Sequence, residues 1–104
     1  MWIFLQDSFV TISQDANQRD RFMIRARVAG DIEKFFPKAQ VIRMDDADFL
    51  FRAFIPKQRV IEVLSSAIGN IEYTSFKGGV KDKCRAWYYA QVWAIMADMQ
   101  DATQ

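Results

Sequence analysis

The chain has 104 residues, of which 51% are hydrophobic, and its 14 Lys and Arg against 13 Asp and Glu give a formal net charge of +1. This length and composition fit one folded domain and exclude a disordered or low-complexity chain. The balanced charge offers no bulk electrostatic support for nucleic-acid binding, because dedicated nucleic-acid-binding domains are usually basic.

The residue types on which many catalytic sites depend are scarce. The chain has no His and a single Cys, Cys84. This excludes Ser–His and Cys–His nucleophile pairs, His metal ligands, an internal disulfide and a Cys-based zinc site. Catalysis by carboxylates, Lys or Tyr stays open. We therefore expect a non-enzymatic protein without a cofactor or a metal ion.

The first half of the chain predicts three strands and a short helix. Trp2–Leu5 and Ser8–Ser13 are apolar-rich runs that predict a β-hairpin, and the polar run at 15–20 predicts a loop. Phe22–Val28 alternates between apolar and polar residues, as a half-buried strand does. We expect a helix over Ile32–Phe36.

The ends of that helix have recognisable signals. Gly30 ends the preceding strand, Asp31 is the expected N-cap, and Pro37 stops the helix. Two more strands are predicted at Gln40–Met44 and Phe49–Ile55, joined by an acidic turn.

The second half is mainly helical. Lys57–Ile68 carries a broad apolar side and predicts a helix that begins after Pro56. After an irregular segment and a glycine loop, residues 82–102 predict one long C-terminal helix. The order β-β-β-α-β-β-α-α predicts a single α+β domain over residues 1–104, with a mixed or antiparallel sheet of about five strands and a ferredoxin-like middle section.

Four runs resemble a group of small bacterial proteins of about 100 residues with no assigned function. These runs are RARVAGDIEKFFP at 25–37, DADFLFRAFIP at 46–56, IEYTSFKGGV at 71–80 and YYAQVWAIM at 88–96. The resemblance implies one complete domain and transfers no activity. Because some such proteins are carried by phages or other mobile elements, it also suggests an inhibitor of a host system.

The first candidate site is an arginine-bearing sheet face. Alternation places Arg25 and Arg27 on one side of their strand. Arg52 joins them if the strands are neighbours, and Arg43 would extend the patch. Such a patch suits phosphates or an acidic protein, and Phe54 on the same side would allow base stacking. Two alternatives are solvated ion pairs with nearby carboxylates and arginine stems packed beneath the last helix.

The second candidate is the glycine loop that precedes the last helix. Glycines, free N–H groups at a helix start and basic side chains together favour anion binding. The basic residues are Lys77, Lys81, Lys83 and Arg85. The spacing is not that of a Walker A loop, and a flexible, solvated turn is the alternative.

The third candidate is the aromatic cluster of the C-terminal helix. It consists of Trp87, Tyr88, Tyr89 and Trp93, whose ridges span more than one stripe. Such a helix is either deeply buried or binds a partner, and both a protein partner and a homodimer fit.

The start of the chain does not have the pattern of a secretory signal, and nowhere in the chain is an apolar run long enough to span a membrane. We expect a cytoplasmic protein that binds another protein, with nucleic acid as the alternative partner.

Overall fold

The structure, a computed structural model, describes residues 1–104 and consists of two compact units, Met1–Glu72 and Tyr73–Gln104. The first unit contains a five-stranded antiparallel sheet and two helices, and the second contains a 3-10 turn and a long helix. The predicted α+β class and the long C-terminal helix are confirmed. That the two units form one domain remains a prediction.

The secondary structure follows the predicted order. The strands are β1 Trp2–Phe4, β2 Phe9–Gln14, β3 Arg21–Ala26, β4 Ile42–Arg43 and β5 Phe51–Pro56. The helices are α1 Asp31–Phe35, α2 Lys57–Gly69 and α3 Lys83–Ala102, with the 3-10 turn at Lys77–Gly79. The strand order in the sheet is β1-β2-β3-β5-β4, and every neighbouring pair is antiparallel. Strands β3 and β4 therefore run in the same direction on either side of β5, as in a split βαβ unit.

One face of the sheet forms the core of the first unit. Alternate residues of the central strands are buried there, and they pack with residues of α1 and α2: Val10, Ile12, Ile24, Ala26, Ala53, Ile55, Ile32, Phe35 and Val60. Each fully buried aliphatic side chain of this kind contributes roughly 1.5–3 kcal/mol to folding. Helices α1 and α2 pack on this face of the sheet. Arg25 and Arg52 alternate with the buried residues of their strands and therefore lie on the opposite face.

The junction between β3 and α1 differs from the prediction in two ways. Strand β3 ends at Ala26, and Val28 is 53% exposed instead of continuing the inward phase. The N-cap is Gly30, with a φ of +91°, and Asp31 is the first helical residue. The buried carboxylate of Asp31 accepts a hydrogen bond from the N–H of Phe9 at 3.0 Å, so it joins α1 to β2 instead of capping its own helix.

Two other elements differ from the prediction: β4 is shorter, and α2 has a smaller buried apolar side. Strand β4 has two residues, because the chain on either side of it makes no ladder with β5. In α2, Ile61 and Ile68 are exposed, and the helix instead packs on the core through Val60, Val63 and Leu64. Its predicted apolar side is therefore a single stripe.

The loop after β2 is fixed by a buried carboxylate. Asp15 accepts hydrogen bonds from the N–H of Asn17 at 2.9 Å and from Nε of Arg21. Both bonds favour the ionised carboxylate and so hold the pKa of Asp15 below its ordinary value. The bond from the main chain of Asn17 has the larger effect, and that from Arg21 comes second. The predicted loop at 15–20 is thus an ordered turn.

Candidate functional site

Arginines from two neighbouring strands lie side by side on the outer face of the sheet. The register of β3 and β5 places Arg25 directly opposite Arg52, and the same row continues to Thr11 on β2. Like charges in such a pair repel each other. No carboxylate forms an ion pair with either arginine, so the alternative of solvated ion pairs does not apply to them.

The guanidinium groups of Arg25 and Arg27 share one aromatic ring. Their Cζ atoms lie 4.6 Å and 4.0 Å from the centroid of the Phe49 ring, which is buried. Arg27 also donates a hydrogen bond to the main-chain oxygen of Asp48 at 3.0 Å. Arg27 lies beyond the end of β3, but its guanidinium lies beside that of Arg25 because both contact the Phe49 ring. The predicted group of Arg25, Arg27 and Arg52 is brought together, and we call it the arginine face.

Several polar atoms on this face have no hydrogen-bond partner. They are Oγ1 of Thr11, Oγ of Ser13, Nε of Arg25 and Nε of Arg52, all shielded from solvent. Thr11 is only 2% exposed although it points away from the core. Buried polar atoms without partners are rare in proteins and unfavourable. The arginine face therefore contains polar atoms whose hydrogen-bonding needs the chain itself does not meet.

Arg43 does not belong to this face. The pairing of β4 with β5 places Ile42 beside Arg52 and Arg43 beside Phe51, whose side chain lies on the other side of the sheet. Arg43 instead donates to a carboxylate oxygen of Asp45 at 2.5 Å. The predicted extension of the patch by Arg43 is wrong, because two-residue β4 has the opposite phase.

Two aromatic rings accompany the arginines. Phe54 lies on the Arg52 side of β5, as predicted, and the guanidinium of Arg21 lies 4.5 Å from its ring centroid. Trp2 stands opposite Thr11 in the same row as Arg25 and is largely exposed. Trp2 is not among the site residues predicted from the sequence, since its place beside Arg25 depends on the register of β1, β2 and β3.

The glycine loop is more ordered than a flexible turn. Lys77–Gly79 forms a 3-10 turn, in which the N–H groups of Gly79 and Val80 donate to Phe76 and Lys77. Those two N–H groups are therefore already used, which leaves fewer donors for an anion. Lys77 places its ammonium 4.2 Å from the centroid of the Trp93 ring, and Lys81 and Lys83 are exposed.

The C-terminal helix α3 contributes no buried residue. Of the four aromatic residues predicted to form an interface, Trp87, Tyr88 and Trp93 are exposed, each by about three-fifths of its surface. Tyr89 is half-buried, because its ring stacks on Phe76 and its hydroxyl accepts a hydrogen bond from Arg85 at 3.2 Å. The interpretation of these aromatic residues as an interface stays a prediction.

The apolar residues of α3 form two ridges with different surroundings. The ridge of Tyr89 and Trp93 contacts Phe76 and Lys77 of the preceding segment. The neighbouring ridge is exposed along its length and consists of Tyr88, Val92, Ile95 and Met99. These residues follow at spacings of four, three and four, the apolar repeat with which helices pack against each other. We call this ridge the α3 seam.

The surface of the first unit has two open depressions that could hold a small molecule. One, about 300 Å³ in volume, lies beside Phe54 and Arg59 and has no carboxylate in its wall, and the other contains only Glu62. Neither depression brings two acids together. Asp45, Asp46 and Asp48 do not converge as metal ligands.

None of the helices combines the length and the apolar composition that crossing a bilayer requires. Comparison with models of known protein families, with curated proteins and with solved structures found no match. The resemblance to small bacterial proteins therefore stays a prediction.

Proposed function

We propose that this protein is a non-enzymatic interaction protein that binds another protein through α3, with the arginine face as a second contact surface. The observation that supports this most strongly is the α3 seam, in which Ile95 is 64% exposed and Tyr88 is 61% exposed. Contiguous apolar surface of this kind marks interaction sites, and aromatic residues dominate the binding energy of interfaces. An inhibitor of a host system would be one such protein.

The test uses a pair of matched substitutions on the same helix. Ile95→Asp puts a charge into the seam, whereas Ala90→Asp puts the same charge on the opposite side of α3. The wild-type protein is used to capture partners from cells that naturally express it, and each captured protein is then purified and bound again. The proposal predicts a purified complex that forms with the wild type and with Ala90→Asp but not with Ile95→Asp.

Equal binding by both variants would contradict the role of the seam, as would the absence of any partner, including a second copy of the chain. Circular dichroism of both variants must show the helical content of the wild type, because a melted α3 would abolish binding for a trivial reason.

The second candidate is a nucleic-acid-binding protein that uses the arginine face and the Lys77–Arg85 segment. It is supported by the guanidinium groups of Arg25 and Arg52, neither of which forms an ion pair with a carboxylate, since phosphate oxygens are strong acceptors for guanidinium groups. It predicts that a single-stranded oligonucleotide of mixed sequence binds in low salt, and that binding weakens steeply as salt rises. The double variant Arg25→Met, Arg52→Met should bind less tightly and with a shallower salt dependence. No binding at low salt would remove this candidate.

A further inference from the structure

The charges of this chain are segregated between its strands and the rest of the molecule. None of the 13 acidic residues lies in a strand, whereas four arginines do: Arg21, Arg25, Arg43 and Arg52. Arg43 lies on the Phe51 side of the sheet, and the other three lie on the outer face. The net charge of +1 for the whole chain therefore conceals a sheet that is locally cationic.

The arginine face forms no ion pair with a carboxylate. Asp15 is paired with Arg21, but none of the three arginines of that face has an acidic partner. The acidic turn before β5 offers Arg27 a main-chain oxygen of Asp48, and not a carboxylate. Since guanidinium groups bind phosphates and carboxylates well, the charge of this face favours an anionic partner.

Trp2 places an exposed aromatic ring at the β1 edge of the same face. Its exposed fraction is 68%, although burial would stabilise a side chain of this size. It contacts Phe9 in a T-shaped pair, with 5.8 Å between the ring centroids, and Phe9 in turn stacks on Phe4. In a T-shaped pair each ring keeps at least one face clear of the other. The ring of Trp2 is therefore supported from one side and has a face on which a planar group can stack.

Phe54 provides a second ring at the other side of the arginines. It also forms part of the wall of the depression of about 300 Å³, together with Lys38 and Arg59. This volume is at the lower end of the range for small-molecule sites. The wall contains no carboxylate, and the exposed ion pair that Arg59 makes with Glu62 at 3.7 Å is of a weak kind. A planar, anionic group is therefore compatible with this end of the face as well.

The register of the sheet places the two rings and the arginines in order. Trp2, Thr11, Arg25 and Arg52 form one row across four strands, and Phe54 lies two residues beyond Arg52 on β5. Neighbouring strands are about 4.8 Å apart, so the two rings are separated by about 14 Å across the strands. A chain that crosses the sheet from β1 to β5 would meet a ring, then guanidinium groups, then a second ring.

We propose that the outer face of the sheet binds single-stranded nucleic acid, with bases stacked on Trp2 and Phe54 and phosphates bound by the arginines between them. This inference rests on the second candidate function, and it names the form of the nucleic acid and the residues that contact its bases. The Nε atoms of Arg25 and Arg52 are shielded from solvent, so the terminal nitrogens of both side chains make the phosphate contacts.

The two kinds of side chain together distinguish a single strand from other anionic partners. A single strand exposes both phosphates and the flat faces of its bases, and proteins that bind it combine basic and aromatic side chains. A duplex keeps its bases stacked inside the helix. An acidic protein would use the arginines and leave Trp2 unused.

Fluorescence anisotropy at low salt tests the role of the rings in the full chain. The probe is a labelled single strand of mixed sequence and about 12 nucleotides. We expect Trp2→Leu and Phe54→Leu each to raise the dissociation constant roughly fivefold or more, because each removes the stacking of one base. Trp2→Phe keeps a ring and should bind nearly as tightly as the wild type. Tyr73→Leu, the same kind of change at an exposed residue of the second unit, is the control and should change nothing.

The fluorescence of Trp2 reports the stacking itself. In a variant whose other tryptophans are replaced, Trp87→Phe and Trp93→Phe, Trp2 is the only indole. Its emission should fall when the unlabelled single strand is added, since a stacked base quenches it. A duplex of the same sequence should bind at least about tenfold more weakly. Circular dichroism and urea unfolding of each variant show whether its fold is that of the wild type.

The expected result is binding of the single strand that depends on both rings and quenches Trp2. Equal binding by the wild type and either leucine variant, an unchanged emission of Trp2, or equal binding of the duplex would overturn the inference. So would a polyglutamate peptide of equal charge that binds as tightly as the single strand, because the face would then select an acidic protein.

These outcomes are separable from those of the second candidate function. Salt-dependent binding that needs Arg25 and Arg52 but not Trp2 keeps a nucleic-acid-binding protein and loses the stacking site. No binding of the single strand at low salt loses both.

Discussion

Arg25 on β3 lies directly opposite Arg52 on β5, although both side chains carry a positive charge and neither forms an ion pair with a carboxylate. The guanidinium of Arg25 stacks on Phe49, while Nη1 of Arg52 lies 3.8 Å from Sδ of Met23. Each guanidinium thus contacts a polarisable group, the Phe49 ring or the Met23 sulfur, and not a carboxylate. Their mutual repulsion remains uncompensated within the chain.

A double-mutant cycle of Arg25→Met and Arg52→Met measures that repulsion. We predict an unfavourable coupling between the two wild-type arginines of about 0.2–1 kcal/mol, the size found for cross-strand pairs. Urea unfolding of the wild type, both single variants and the double variant gives the coupling. Added salt should reduce it. A favourable coupling would mean that the pair is held by something other than the contacts described above.

Asp31 joins α1 to the sheet. Its carboxylate is 1% exposed and accepts the N–H of Phe9, so Asp31→Ala would leave that donor without its acceptor in the core. We expect a loss of roughly 1–3 kcal/mol in the free energy of unfolding. Asp31→Asn keeps an acceptor oxygen and should cost less. Glu33→Ala, an exposed acid on the same helix, is the control and should change stability by under about 0.5 kcal/mol.

Gly30 adopts a left-handed conformation that only glycine tolerates well. A Cβ at this position would meet no atom within 4 Å, so Gly30→Ala isolates the backbone cost. We predict a destabilisation of about 1 kcal/mol in chemical denaturation. Gly69→Ala also meets no atom, at a helical residue without a positive φ, and should be neutral or stabilising. Equal effects of the two substitutions would refute this explanation.

Asp15 makes stability depend on pH in the acid range. Since the pKa of Asp15 is lowered in the folded chain, the unfolded chain takes up the proton first as the pH falls. The stabilisation is therefore present above the unfolded pKa, near pH 4, and disappears as the pH drops through the folded pKa. The difference in unfolding free energy between wild type and Asp15→Asn should be constant near neutral pH and shrink below about pH 4. A difference that grew in acid would contradict the assignment.

The sequence predicted the elements well because their apolar periodicities are clear. The alternation through Ile24 and Ala26 placed Arg25 on the outer face of β3, and its meeting with Arg52 required only that β3 and β5 be neighbours. Arg43 could not be placed in this way, since the phase of a two-residue strand depends on its pairing and not on its own pattern. The prediction that Val28 belongs to β3 was wrong for a related reason. The alternation of apolar and polar residues continues in the sequence beyond Ala26, where the ladder with β5 ends.

The aromatic helix shows a different limit. Periodicity indicated which residues of α3 share a ridge, but it could not say which ridge would be covered. Tyr89 and Trp93 are contacted by Phe76 and Lys77, which precede α3 and do not belong to its helical repeat. The four-three-four spacing of Val92, Ile95 and their neighbours was visible in the sequence, whereas their exposure depends on tertiary structure.

Site-specific photo-crosslinking in cells that naturally express the protein tests the central claim, that the α3 seam binds protein. A photoreactive phenylalanine derivative replaces Ile95 in one version and Ala90, on the opposite side of α3, in the other. We predict covalent adducts, with a second copy of the chain or with another protein, from position 95 and few or none from position 90. No adduct from position 95, or equal yields from the two positions, would contradict the claim.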